Sequence, residues 1–142
     1  MSEESLETIE LELAIMIRRI TAYSSHKKIG NLDRSAYLLL HQIATNGPAG
    51  VKTLAGQSQL DISTISRQAS ALEQKGFLYR IPDPTDGRAY FLEITELGLR
   101  KLREERQTRK IRVGEVTKDW SDEERATFGK LLTRFNIAAI QE

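Results

Sequence analysis

The stretch DISTISRQASALEQKGFLYRIPDPTDGRAYFLEIT, residues 61–95, decides the fold because its hydrophobic period changes near the middle. The first half repeats apolar residues at helical spacing, which predicts a helix over Ile62–Gln74. Asp61 suits the N-cap of that helix, and Lys75-Gly76 suits its end. The stripe that we expect to be buried consists of Ile62, Ile65, Ala69 and Leu72.

The second half alternates residues with a period of two on both sides of a proline-rich segment, which predicts two short strands. Asp86 and Gly87 lie between the strands and predict the turn of a β-hairpin. Because an isolated two-stranded hairpin is not stable in water, we expect it to pack on the helices that precede it.

Helical periodicity and capping signals predict further helices on both sides of this stretch. The predicted helices are residues 5–24, a helix from the cap Asp33 to Asn46, Val51–Ser58, Ile62–Gln74, a helix from the cap Thr95 to Lys118, and a last helix opened by a capping box of Ser121 and Glu124. A hydrophobic staple of Leu32 and Tyr37 supports the second start. Gly98 and Gly114 each cost the fifth helix about 1 kcal/mol relative to alanine.

The predicted fold class is therefore mostly α with a small β-hairpin wing. Two short helices joined by a tight turn, Val51–Gln74, meet the requirement of a helix-turn-helix. Residues 32–95 form one compact lobe that includes the hairpin. The outer segments, 1–31 and 96–142, carry apolar stripes that pack together or against the same helices of a second copy.

The second helix of this motif carries side chains suited to the major groove of DNA. They are Ser63, Thr64, Ser66, Arg67 and Gln68. Arginine binds guanine bidentately, glutamine binds adenine in the same way, and short hydroxyls reach bases or phosphates. The alternative is a solvated face of an amphipathic helix, although the mixture of Glu and Lys usual on such a face is lacking here.

The hairpin carries a cation, Arg88, in a segment that Pro82 and Pro84 stiffen. An arginine on a rigid loop beside a recognition helix can enter the minor groove, where A·T-rich segments concentrate negative potential. Asp86 either orients Arg88 or accepts hydrogen bonds from loop amides. The alternative for this segment is an ordinary hairpin turn with a solvated arginine.

The composition indicates where the protein is located and how its charge is distributed. The chain has 142 residues, 39% hydrophobic and 29% charged, a net charge of +1 and no cysteine. We expect a cytoplasmic protein, because no apolar run could span a bilayer and the N-terminus is acidic, unlike a signal peptide. Residues 97–118 carry eight lysines and arginines against three glutamates, either on a solvated helix face or close to a polyanion.

The sequence offers little for catalysis, so we predict that the chain is not an enzyme. The absence of cysteine excludes thiol redox sensing and thiolate metal sites. His26 and His41 fall in separate helices without a paired carboxylate, and no glycine-rich loop cradles phosphate. We therefore expect neither a cofactor nor a metal site.

The chain resembles the MarR family of winged helix-turn-helix transcriptional regulators over nearly its whole length. The matching residues are Leu54-Ala55, Ser63-Thr64-Ile65-Ser66-Arg67, Leu72-Glu73-Gln74-Lys75-Gly76, Arg80, Asp83, Asp86, Arg88, Ile94-Thr95 and Gly98. The resemblance implies that Arg88 is the minor-groove arginine, that Asp86 is its structural partner, and that the first, fifth and sixth helices form a dimer interface. Gln59 and Ser58 depart from the pattern, which usually has glycine and an apolar residue there.

The sequence thus predicts a homodimeric, sequence-specific DNA-binding regulator, a repressor that binds an inverted-repeat operator in double-stranded DNA. The resemblance further implies release by a small aromatic or anionic effector. A function from another class stays open, namely a winged-helix module that binds a protein partner without DNA. Such a module should expose apolar residues on its recognition helix.

Overall fold

A computed structural model describes residues 1–26 and 32–140, with residues 23–26 described by their backbone alone. Within these ranges the chain forms six helices and one antiparallel hairpin. The elements are α1 Glu3–His26, α2 Arg34–Asn46, α3 Val51–Ser58, α4 Ile62–Gln74, β1 Leu78–Asp83, β2 Asp86–Ile94, α5 Glu96–Val116 and α6 Asp122–Ile140. The prediction of a mostly helical fold with a small hairpin is confirmed.

Side-chain caps start four of the helices where the sequence predicts them. For α2, the Asp33 carboxylate accepts a hydrogen bond from the Ala36 N–H at 2.8 Å. For α6, the Ser121 N–H donates to Glu124 at 2.8 Å, and the Glu124 N–H donates to the Ser121 hydroxyl at 3.1 Å. Thr95 caps α5 and Asp61 caps α4 in the same manner. These bonds satisfy N–H groups that have no partner inside the helix.

The chain divides into two compact units, residues 1–108 and 109–142, with the boundary inside α5. The first unit holds α1 to α4, the hairpin and the start of α5. The second holds the end of α5 and α6. None of the helices in residues 1–26 and 32–140 is both long and apolar enough to span a bilayer.

The buried core of the first unit joins α2, α3, α4, the hairpin and the start of α5. Its members are Leu32, Leu39, Leu40, Ile43, Leu54, Ala55, Ile65, Ala69, Leu72, Leu78, Leu92 and Leu102. Each fully buried leucine or isoleucine contributes about 1.5–3 kcal/mol relative to an exposed one. Because α4 supplies three of these residues, burial fixes which of its faces points away from the core.

In the second unit, Arg125 joins α6 to the end of α5. Its guanidinium donates to the Thr117 hydroxyl at 3.0 Å and to the Thr117 carbonyl at 2.7 Å. Trp120 meets Phe128 edge to face, with ring centroids 5.4 Å apart. The α6 helix has no buried residue, so its apolar side chains remain largely accessible.

The base of the hairpin is tied to the helices through its second strand. Leu78 pairs with Ile94 and Arg80 with Leu92 in the antiparallel register. The Leu92 N–H donates to the Ala49 carbonyl at 2.9 Å, so the connection between α2 and α3 adds a short bridge to the outer edge of β2. Leu92 itself is fully buried.

The turn of the hairpin lies at Pro84 and Thr85, between the paired residues Asp83 and Asp86. The prediction of an Asp86-Gly87 turn is therefore wrong. Asp83 accepts hydrogen bonds from the Thr85 N–H at 2.9 Å and the Thr85 hydroxyl at 2.8 Å. These bonds lower the pKa of the Asp83 carboxyl, the one from the Thr85 N–H most. Proline pre-sets the backbone for the first central turn position, so Pro84 and Asp83 together override the Asp-Gly signal.

Hydrogen bonds of Thr95 and close packing at two glycines join the end of α4, the base of the hairpin and the start of α5. The Thr95 hydroxyl donates to the Gly76 carbonyl at 2.7 Å and accepts from the Gly98 N–H at 2.9 Å. Gly76 has φ +81°, a left-handed conformation that favours glycine. A Cβ built on Gly98 would lie 2.3 Å from the Phe77 carbonyl oxygen, so only glycine fits there.

Replacing Gly98 with alanine should destabilise the protein by about 1–3 kcal/mol, because the added methyl group forces backbone to move. Gly114→Ala on the same helix is the matched control, since nothing lies within 4 Å of its Cβ position. That control should gain up to about 1 kcal/mol of helix propensity. Urea unfolding of both variants measures the difference, and equal effects would contradict the packing described at Gly98.

Candidate nucleic-acid interface

The turn between α3 and α4 places a glutamine where the backbone favours glycine. Gln59 has φ 57° and ψ 36°, in the left-handed region. It is the one residue other than glycine with positive φ in the described ranges. Ser58, the other departure from the family pattern, donates its hydroxyl hydrogen to the Leu54 carbonyl at 2.6 Å. The tight turn therefore forms despite both departures and joins two consecutive helices, as the motif requires.

The first turn of α4 is capped by Asp61, as the sequence predicts. The Asp61 carboxylate accepts a hydrogen bond from the Thr64 N–H at 2.9 Å. Hydrogen bonding from the Thr64 hydroxyl, followed by that from the Thr64 N–H, holds the pKa of the Asp61 carboxyl below its ordinary value. The charged cap therefore stabilises the N-terminal end of α4.

The outward face of α4 carries the predicted DNA-binding side chains. Ser63 and Arg67 are exposed, while Thr64, Ser66 and Gln68 are half-buried at its margins. The Arg67 guanidinium lies 3.4 Å from the Thr64 hydroxyl, one turn earlier on the helix. Ser70, one turn beyond Ser66, is also exposed. All five predicted residues of the helix thus lie on one accessible side or at its edge.

Ile62 is the exception to the predicted burial of the apolar stripe, because its side chain is 49% exposed. The other three residues of the stripe, Ile65, Ala69 and Leu72, are buried. At about 100° per residue, Ile62 lies about 20° around the helix from the buried Ala69, so its angle does not account for its exposure. Ile62 is the first residue of α4, and the core ends before it.

The tip of the wing presents its arginine to solvent. Arg88 is exposed, three residues into β2. The Asp86 carboxylate accepts a hydrogen bond from the Arg88 N–H at 3.0 Å. Of the two roles predicted for Asp86, the contact observed is with a loop amide, which fixes the backbone at Arg88 and leaves its guanidinium outside that bond.

A second cluster joins α4 to the wing and has no counterpart in the predicted site. Arg80 on β1 lies 2.9 and 3.0 Å from the two carboxylate oxygens of Glu73 on α4. The hydrogen bond to Glu73 raises the pKa of the Arg80 guanidinium. The same guanidinium stacks 4.2 Å from the centroid of the Tyr90 ring on β2. Glu73 and Arg80 lie on either side of Gly76 in the sequence, and their spacing does not reveal that they pair.

His41 and His26 are the other residues considered for chemistry. His41 accepts a hydrogen bond at Nδ1 from the Arg106 guanidinium at 2.7 Å, which joins α2 to α5. His26 ends α1, and its side chain lies outside the described residues. Across residues 1–26 and 32–140, no group of three or more His, Asp or Glu side chains is arranged to hold a metal ion.

Comparison with known proteins agrees with this architecture. The MarR family model matches residues 32–90. The uncharacterized HTH-type transcriptional regulator YxaD of Bacillus subtilis (strain 168) is 48% identical over 140 residues, 98% of each chain. A MarR family protein from Bacillus stearothermophilus superposes with a TM-score of 0.78 at 20% identity over 98% of each chain, which shows the shared fold. PcaV from Streptomyces coelicolor, solved with its natural ligand, has a TM-score of 0.71 at 25% identity, covering 98% of this chain and 99% of that one.

Removing the cap of α4 should lower the melting temperature at neutral pH. Asp61→Ala deletes the acceptor of the Thr64 bonds, whereas Asp61→Asn keeps an oxygen acceptor and should retain most of the stability. Because folding depresses the pKa of Asp61, its contribution is present above the unfolded value, about 3.9, and is lost as the pH falls through the folded pKa. The gap between wild type and Asp61→Ala in thermal melts should therefore shrink below about pH 4, and a gap that widens toward acid would contradict the cap.

Proposed function

The chain belongs to the MarR family of transcriptional regulators, and on that premise we propose that it is a homodimeric repressor of an inverted-repeat operator. The observation that carries the proposal is the exposed polar face of α4 beside an exposed arginine on the wing. Each subunit would insert α4 into a major groove and its wing into the adjacent minor groove. Two-fold symmetry would then space the half-sites about one helical turn, roughly 10 bp, apart.

The roles of the side chains follow from their chemistry. Ser63, Thr64, Ser66, Arg67 and Gln68 would contact base edges and phosphates from α4. Arg67 is the residue best suited to read a base, because its guanidinium can bind guanine at two points in the major groove. Arg88 would enter the minor groove, where a narrow A·T-rich segment attracts a cation. Asp86 would hold the backbone of the wing through its bond to the Arg88 N–H.

Dimerisation is supported by the apolar side chains that α1 and α6 leave accessible. On α1, Ile9, Met16 and Ile17 are 49%, 40% and 61% exposed. On α6, Phe128, Leu131 and Phe135 are 43%, 50% and 47% exposed. Exposed apolar surface of this extent on a small protein marks an interaction site. A second copy of the chain would cover these side chains on each helix, which puts the proposed dimer interface in the segments 1–31 and 96–142, of which residues 27–31, 141 and 142 lie outside the described residues.

We further propose that a small aromatic or anionic effector releases the protein from DNA. PcaV, which shares the fold, was solved with its natural ligand. A ligand that prefers one spacing of the two α4 helices would shift the population away from the DNA-competent state. Screening phenolic acids by thermal shift, followed by operator release, tests this step.

One observation favours the alternative of a winged-helix module for protein partners. Leu60, just before the cap of α4, and Ile62, the first residue of α4, are 43% and 49% exposed, and apolar residues there suit a protein surface. Titrating random duplex DNA at two salt concentrations separates the two functions. Phosphate contacts make affinity fall as salt rises, whereas failure to bind even at low salt would favour the protein partner.

Arg88→Ala should weaken binding to a duplex selected from a random pool by about tenfold or more, with folding and dimerisation intact. The salt slope should fall by about one, because one cation leaves the interface. Arg34→Ala, which removes the same charge from the exposed first turn of α2, outside α4 and the wing, is the matched control and should bind as the wild type does. Unchanged affinity for Arg88→Ala would refute the proposed role of the wing.

Arg67→Ala should change which sequences are preferred and should cost about 1–3 kcal/mol at the base it reads. Repeating the selection from random DNA with this variant reveals the altered position directly. If the affinity instead falls by the same factor for every sequence, Arg67 binds phosphate and the assignment to a base is wrong.

A further inference from the structure

The contact of Glu73, Arg80 and Tyr90, called here the wing clamp, joins the three elements that the proposed function requires to act together. Glu73 lies in the last turn of α4, Arg80 on β1 and Tyr90 on β2. The Arg80 Nε donates to both carboxylate oxygens, at 2.9 and 3.0 Å, and the guanidinium stacks on the ring at 4.2 Å. A planar cation that binds a carboxylate at its edge and an aromatic ring at its face is held in two directions.

The wing clamp lies where the hairpin leaves the core. Leu78 and Leu92, at the base of the strands, are buried, whereas residues 84–88 at the tip are exposed. Arg80 pairs with Leu92 in the register, and Tyr90 pairs with Pro82 two residues further toward the tip. Beyond this level a two-stranded ribbon has little to hold its direction, because isolated hairpins are marginally stable. The clamp is therefore placed to set the angle at which the tip projects from α4.

Stability alone is a poor explanation for this arrangement. The Arg80 side chain is 48% exposed and that of Glu73 is 23% exposed, so solvent screens the ion pair and its contribution to unfolding is small. The geometric consequence is larger. Arg88 lies several residues beyond Arg80 along the hairpin, so a small change in the angle of the wing displaces Arg88. A contact that adds little stability but fixes direction affects binding far more than folding.

We propose that the wing clamp is a positioning device that fixes the wing relative to α4, so that Arg88 reaches the minor groove while α4 occupies the major groove. This inference rests on the proposed function, because it assigns the clamp to the same interface. Arg80 acts through Arg88 and does not touch DNA itself. The competing assignment is a direct contact between Arg80 and a phosphate.

The two assignments differ in what Glu73 does. If Arg80 binds phosphate, Glu73→Gln releases the guanidinium from its carboxylate and leaves affinity unchanged or higher, while Arg80→Ala weakens it. If Arg80 positions the wing, both variants weaken binding to the selected duplex, and the double variant loses no more than the worse single one. Arg34→Ala, which removes an exposed arginine from the first turn of α2, is the control for loss of a cation outside the clamp and should not alter affinity.

A double-mutant cycle with Arg88 provides the decisive comparison. In the wild-type background, Arg80→Ala and Glu73→Gln should each weaken binding by roughly tenfold, as loss of the Arg88 contact does. In the Arg88→Ala background, the same changes should have almost no effect. An equal loss in both backgrounds would overturn the positioning role and leave the proposed function intact. If the wild-type protein binds no duplex, the proposed function itself fails, and a measurement without DNA still tests the clamp.

That measurement uses the absence of cysteine from the chain. Ser70→Cys on α4 and Gly87→Cys on the wing allow two spin labels, since Ser70 is exposed and nothing lies within 4 Å of the Gly87 Cβ position. The distance distribution between the labels should broaden when Arg80→Ala or Glu73→Gln is added. Arg80→Lys, which keeps the charge, should broaden it too, because an ammonium cannot reproduce the planar contact. A distribution unchanged in all three variants would overturn the clamp.

Discussion

Burial of the apolar stripe of α4 is the constraint on which the rest of the structure depends. Ile65, Ala69 and Leu72 pack into a core shared with α2, α3 and the hairpin, and Leu92 joins that core from β2. Once these residues are buried, helical periodicity places the serines, Arg67 and Gln68 on the outer side of α4. The same core anchors the base of the hairpin, so the recognition helix and the wing are supported by one set of contacts.

Features that depend on a few neighbouring residues were predictable from the sequence. The caps of α2, α4, α5 and α6 are such features, because a side-chain oxygen and an N–H group three residues later decide them. Periods of 3.6 and two likewise located the elements, and the wing signature pointed to the family. The chain's membership in a family of regulators agrees with the expectation that it is not an enzyme.

Features that depend on competition or on distant contacts were missed. The turn of the hairpin forms at Pro84-Thr85 because Asp83 accepts two hydrogen bonds there, which outweighs the Asp-Gly signal. Ile62 is exposed because the core ends before it, and helical periodicity in a sequence does not show where the core ends. The wing clamp brings together residues from three elements, and its geometry follows only from the register of the strands. The net charge of residues 97–118 likewise does not reveal whether these residues face solvent or a polyanion.

In the proposed complex, one subunit occupies two adjacent grooves of one duplex through α4 and the wing. Dimethyl sulfate footprinting of the selected operator tests it most directly, because the reagent methylates guanine N7 in the major groove and adenine N3 in the minor groove. We expect protection of guanines within each half-site and of adenines in the flanking minor groove, with only the adenine protection lost in Arg88→Ala. Protection confined to one groove, or adenine protection that survives in Arg88→Ala, would contradict it.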